Sequence, residues 1–143
     1  MSTKLNPHGV ISIPTSLDKD FFRYWFEFLR PFHNLTNREM DVITAFTKCR
    51  FELSKVIKDD KILDKVVMSE DTRKQVREDC QISLPHFQVI MGKLRESKVI
   101  VNNKINPRFI PNIKEEDGNF KLLLLFDFKK FNASNPSFFI ITL

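Results

Sequence analysis

The histidines and cysteines of this chain are few, and their spacing does not suit acid–base, nucleophilic or metal chemistry. His8, His33 and His86 are scattered, with no carboxylate or cysteine at ligand spacing from any of them. Cys49 and Cys80 lack neighbours that would activate a thiolate, and no nucleophile motif is present. Gly9, Gly92 and Gly118 are the only glycines, too far apart to build a phosphate-cradling loop. The expectation is a protein that is not an enzyme and uses no metal and no cofactor. Gly92 falls inside a predicted helix, where glycine costs about 1 kcal/mol relative to alanine. Its presence suggests either close approach of a neighbouring backbone or mere drift.

The chemistry that remains is electrostatic and hydrogen-bonding, and it concentrates between Met68 and Pro111. Arg73, Lys74 and Arg77 come first, then His86, Gln88 and Lys93, then Asn102, Asn103, Lys104 and Arg108. With Arg95 and Lys98 the segment holds eight basic side chains against five acidic ones, a net charge of +3. Such cations can neutralise phosphates, and a glutamine can pair with the edge of an adenine. An ordinary solvated helix face carries similar charge. For the whole chain, a net charge of +5 and a pI near 9.3 permit a polyanionic partner without requiring one.

These residues need elements to position them. VREDCQIS reads as the end of a helix near Cys80 and a tight turn, with Ile82 pointing inward and Ser83 capping the next helix. Phe87, Ile90 and Leu94 recur at spacings of three and four, one face of a helix running from Ser83 to Ser97. Val99-Ile100-Val101, an Asn102-Asn103 turn and Lys104-Ile105 then read as a β-hairpin, because asparagine tolerates the positive φ of a two-residue turn. Helix, turn, helix and ribbon in this order can place one helix in a DNA groove.

Elsewhere, residues 1–15 read as an extended arm whose Val10 to Ile13 could add to a sheet edge or a partner. Asp18 to Phe32 reads as one helix, with Phe21, Trp25, Phe28, Leu29 and Phe32 on a stripe and further aromatics widening it. Either the arm and tail or another chain would cover the second face. Thr36 and Glu39 form a capping box, with Leu35 and Met40 at hydrophobic-staple spacing. Ile43, Phe46, Cys49 (or Arg50), Leu53 and Ile57 continue that helix's apolar face. Lys58 to Lys65 reads as a charged loop whose Ile62, Leu63, Val66 and Val67 pair as a short strand. Ser69 caps the first helix of the motif, with Glu70 and Asp71 in its first turn. Phe120 to Phe128 reads as a strand buried on both faces. The apolar tail, Phe138 to Ile141, is an assembly or sheet-edge candidate.

The chain from about Phe21 to Phe128 resembles the winged-helix replication proteins of the plasmid RepL type, versions of which occur in some phages. The resemblance rests on the order of an aromatic first helix, LTNREMDVITAF, VREDCQISLPHFQVIMGKLRESKVI, an Asn106-Pro107 after the hairpin, and FKLLLLFDF. It implies a winged-helix fold and origin or promoter DNA as partner. Two features depart from that family. Leu84, Pro85, His86, Gln88 and Val89 stand where its recognition helix usually opens with Ser, Thr, Lys, Arg or Gln, and Lys98 replaces the glycine before the wing.

The reading is thus an α+β protein, a winged helix-turn-helix domain over residues 16–128 with an extra N-terminal aromatic helix and a C-terminal strand. An arm (1–15) and an apolar tail (129–143) flank it. Double-stranded DNA is the expected partner, bound in the manner of a replication initiator or transcription regulator. The alternative is a phage virion or assembly protein that uses the fold for protein packing. A homo-oligomer or other subunits would join through the N-terminal helix and the tail. Both thiols are expected to be buried and reduced, in the host cytoplasm (or in the virion under the alternative). No apolar run approaches the roughly 20 residues of a membrane span.

Overall fold

The computed structural model describes residues 4–5, 10–114, 116–126, 128 and 140–142. His8, Gly9 and most of the expected tail lie outside these residues. The architecture is α+β and rich in helix, with small two-stranded antiparallel sheets. Strand β1 (Lys4–Leu5) pairs with β2 (Ile11–Ser12), so this part of the arm pairs with itself rather than with a core sheet.

The aromatic segment forms two helices, α1 (Phe21–Phe28) and α2 (Arg30–His33), where one was expected over residues 18–32. Pro31 has no N–H to donate back into α1, and its ring crowds the preceding turn. The chain breaks at Leu29, and His33 Nε2 bonds Phe26 O at 2.8 Å to hold the two pieces together. The buried stripe is Phe21, Phe22, Trp25, Phe26 and Leu29, while Phe28 of the expected stripe is 46% exposed.

Helix α3 (Asn37–Ser54) is the hub of the fold, and α1 packs on it. So do α4 (Asp60–Val67), α5 (Glu70–Asp79) and α6 (Leu84–Glu96). Its start follows the local signal. Thr36 Oγ1 accepts from Glu39 N–H at 3.3 Å, and Glu39 Oε1 accepts from Thr36 N–H at 3.2 Å. Leu35 and Met40 are both buried, as a staple requires.

Helix α4 replaces the charged loop and short strand expected at 58–67. The Asp59 carboxylate accepts from Lys61 and Ile62 N–H at 2.9 and 3.2 Å, which is an N-cap. Leu63 and Val67, four apart, are buried, and Ile62 is exposed. Helical periodicity therefore overrides the apolar pairs that suggested a strand.

After α6 come β3 (Ile100–Val101), β4 (Lys104–Ile105) and a 3-10 turn (Pro107–Phe109). Trp25 Nε1 donates to Phe109 O at 2.8 Å, joining α1 to this turn across 84 residues of chain. The run expected as a doubly buried strand yields only β5 (Leu122–Leu124), paired with β6 (Ile140–Thr142). Phe120 and Leu122 pack on the core, with the Phe120 ring edge-on to Phe21 and Trp25 at 5.1 and 5.6 Å. Leu123, Leu124, Leu125, Phe126 and Phe128 are exposed, so the run is not buried on both faces. A Cβ at Gly92 would meet nothing within 4 Å, so among the described residues no neighbouring element approaches it closely.

Candidate nucleic-acid interface

The segment from α5 to the 3-10 turn is built by four local devices. Ser69 caps α5, accepting from Thr72 N–H at 3.4 Å. At the other end Gln81 takes a left-handed conformation, φ 54°. Gln81 N–H then reaches Glu78 O, and Ile82 N–H reaches Arg77 O, both at 3.0 Å. These two bonds satisfy the last carbonyls of α5 in a Schellman motif and turn the chain. Ile82 is buried as expected, and Ser83 caps α6 by accepting from His86 N–H at 3.4 Å. Phe87, Ile90, Met91 and Leu94 then seat α6 in the core.

The exit from α6 repeats the device. Lys98 has φ 62°, Lys98 N–H bonds Arg95 O at 3.1 Å, and Val99 N–H bonds Leu94 O at 3.0 Å. Leu94 and Val99, both fully buried, make the apolar contact that accompanies such a motif. The hairpin pairs Ile100 with Ile105 and Val101 with Lys104. Asn102 and Asn103 turn it at φ 54° and 58°, as a two-residue turn of the I′ kind demands. Asn106 closes its base, donating to Lys98 O at 3.0 Å and accepting from Arg108 N–H at 3.1 Å.

The structure brings some of the expected site residues together and separates others. Arg73 Nη2 donates to Asn103 Oδ1 at 3.3 Å, tying α5 to the hairpin tip. The Arg73 Nε is buried without a partner. Asparagine is neutral, so this bond fixes the guanidinium without cancelling its charge. At about 100° per residue, Arg77 shares the Arg73 flank of α5 with Glu70, and exposed Lys74 lies a further quarter-turn round. Asp71 and Glu78, three and four residues from Lys74, are its neighbours on the helix surface. The helix therefore carries charges of both signs around its surface, and Arg73 is the cation bonded to the hairpin.

On α6, His86 and Lys93 are seven residues apart and share one flank, while Gln88 lies on the other. Lys93 is paired with Glu96 at 3.3 Å. Arg95, seven residues from Gln88, joins its flank and has no ion pair among the described residues. Arg95 counted in the segment's charge but was not singled out, although the i, i+7 spacing could have found it. The crest between the flanks is Pro85, Val89, Gly92 and Glu96, mostly apolar. Lys104 faces other neighbours, lining a cleft of about 420 Å³ with Arg50, Asp60 and Asp64. Arg108 is exposed on the 3-10 turn.

Other polar clusters are absorbed by the fold. A cleft of about 300 Å³ is lined by Arg23, Arg38, Asp41, Thr44 and Cys80. There Arg23 and Arg38 both bind the Asp41 carboxylate, and Arg38 Nη2 donates to Cys80 O at 2.9 Å. Cys49 and Cys80 are free and half-buried, not fully buried as expected. Burial, with nearby carboxylates, pushes both thiols above their ordinary pKa. Among the described residues no group of His, Cys, Asp and Glu could hold a metal ion, and no helix is long and apolar enough to cross a membrane. No protein-family model, no curated protein and no solved structure matches the chain.

Proposed function

We propose that the chain is a winged helix-turn-helix protein that binds double-stranded DNA, of the replication-initiator or regulator kind that plasmid RepL-type proteins represent. The observation that carries this reading is the Arg73–Asn103 bond, which locks the Arg73 guanidinium of α5 to the hairpin tip. In this reading α6 enters the major groove and the Asn102-Asn103 wing meets the backbone. Phosphate contacts supply most of the affinity, because the first turns of α6 offer only Gln88 and His86 to base edges.

The test is binding of random duplex DNA across a salt series. A footprint of four phosphates loses ~100-fold in affinity between about 50 and about 200 mM salt. Reversing Arg73, Lys74, Lys104 and Arg108 together abolishes binding, and Gln88→Ala costs about 1–3 kcal/mol at one base position. Binding that does not weaken with salt contradicts the phosphate account.

A second reading, a phage virion or assembly protein, is favoured by a different observation. Leu84 and Val89 of α6 are 50% and 61% exposed, which suits packing against protein better than entry into a polar groove. Absence of DNA binding even at low salt supports it over the first. The two readings also differ in compartment, host cytoplasm against virion.

A further inference from the structure

We infer that the duplex this chain prefers is rich in A·T pairs, read in the major groove by Gln88 on adenine and by Val89 on the thymine methyl. This rests on the DNA-binding reading and names the sequence class that α6 selects. Three observations carry it.

The first is an open step on the outward face of α6. Phe87, Ile90, Met91 and Leu94 turn inward, so Gln88, Val89 and Gly92 face away from the core. Gly92 follows Gln88 by four residues and Val89 by three, so the three are neighbours on the helix surface. Gly92 brings no side chain, and a Cβ there would meet nothing within 4 Å. A base edge can therefore come close to the helix between the Gln88 amide and the Val89 isopropyl group. The second is the hydrogen-bonding inventory. Gln88 is exposed, and its amide has no partner among the described residues. A glutamine amide donates to adenine N7 and accepts from the N6 amino group, a pair of bonds that guanine, with O6 in place of the amino group, cannot complete. Guanine is instead taken by Arg or Lys and cytosine by Asp or Glu, and none of these stands between Leu84 and Gly92. His86 can donate to N7 of either purine, so it does not choose between them.

The third observation is Val89 itself, 61% exposed beside that amide. The apolar group that base pairs present in the major groove is the C5 methyl of thymine. One A·T pair or step thus offers both the edge that Gln88 pairs with and the methyl that Val89 covers. The charges around this face suit the phosphates that border the groove. Toward the C-terminal end of α6 it is flanked by Lys93 and Arg95, and Arg95 has no ion pair among the described residues. Glu96, the one acid of α6, is held by Lys93 at 3.3 Å.

The experiment titrates the full chain with three alternating duplexes, poly(dA-dT), poly(dA-dU) and poly(dG-dC), all at about 50 mM salt because affinities compare only at fixed salt. The first two differ only in the thymine methyl. The parent should bind poly(dA-dT) about four-fold more tightly than poly(dA-dU) for each methyl covered. It should bind poly(dG-dC) about 5- to 150-fold more weakly than poly(dA-dT). Val89→Ala should bind poly(dA-dT) and poly(dA-dU) alike, and Gln88→Ala should lose most of the preference over poly(dG-dC). Both positions are exposed, so both variants keep the far-UV spectrum of the parent. A parent that ignores the methyl, or a methyl preference that survives Val89→Ala, overturns the proposal and leaves DNA binding standing, with any A·T preference then arising from duplex shape. A preference over poly(dG-dC) that is absent, or that survives Gln88→Ala, overturns it in the same way. No binding to any of the three duplexes overturns both the proposal and the DNA-binding reading.

Discussion

His33 is a 4% exposed imidazole with both nitrogens committed. Nδ1 accepts from Leu35 N–H at 2.9 Å, so Nε2 carries the proton and donates to Phe26 O. Burial is the main cause holding its pKa below the ordinary histidine value; Arg30 adds to this, while the Phe26 carbonyl and Glu27 oppose it. The unfolded chain therefore takes up a proton near pH 6.5, where the folded chain refuses it, and stability rises with pH through that window. Lowering the pH from about 7 to about 5.5 should lower the melting midpoint, and His33→Gln should remove that slope even though the variant melts earlier. A parent midpoint that is flat between those two values counts against the buried neutral ring. From sequence alone His33 was legible only as a histidine without ligand spacing. Its partners are backbone groups, which every residue type supplies, so no pattern of side chains announces them. The raised thiol pKa values have the same origin, in burial that depends on the whole fold.

The helices whose starts were legible are those with a local signal. Thr36, Ser69 and Ser83 each satisfy an N–H group three residues ahead, so the capping residue and the helix it starts lie in one short window. Helix α4 was hidden because Ile62-Leu63 and Val66-Val67 fit a period of two as readily as a helical one. Helix α1 was overextended because its aromatic stripe continues in sequence past Pro31, which the backbone cannot follow. The two left-handed helix exits make a sharp prediction. Gln81 and Lys98 hold a conformation that costs a residue with a Cβ roughly 1–2 kcal/mol, against the extra chain entropy a glycine gives up. Gln81→Gly and Lys98→Gly should each raise stability by about 0.5–1 kcal/mol, read as a higher denaturant midpoint at unchanged slope. Leu94 tests the register of α6 from the other direction. It is fully buried and anchors the second of these exits. Leu94→Ala should cost about 2–5 kcal/mol, and a melting curve close to that of the parent would reject the packing of α6.

At the scale of the molecule, the buried core is assembled from residues between Phe21 and Phe109, with Phe120 and Leu122 packed against it. Removing residues 129–143 should leave the helical far-UV signal intact and shift the melting midpoint by less than about 4 °C, under about 1 kcal/mol. A larger loss would mean that the helical unit draws on the tail. The positive charge of the α5-to-hairpin segment was legible as composition. Its layout was not, because Arg73 of α5 meets Asn103 only through tertiary packing across 30 residues. The same separation of chain and space gives the bond from Trp25 to Phe109 a further use. Trp25 is the only tryptophan, and its indole is satisfied only when segments 84 residues apart have met. Contacts this distant in sequence carry a loop-closure cost that neighbouring turns of helix do not, so they limit the rate at which the chain can order itself. Helical ellipticity reports mainly on α3 and its neighbours, whereas indole emission moves only when the two ends of the domain clasp. The protein thus carries its own optical clock for the closing step of refolding.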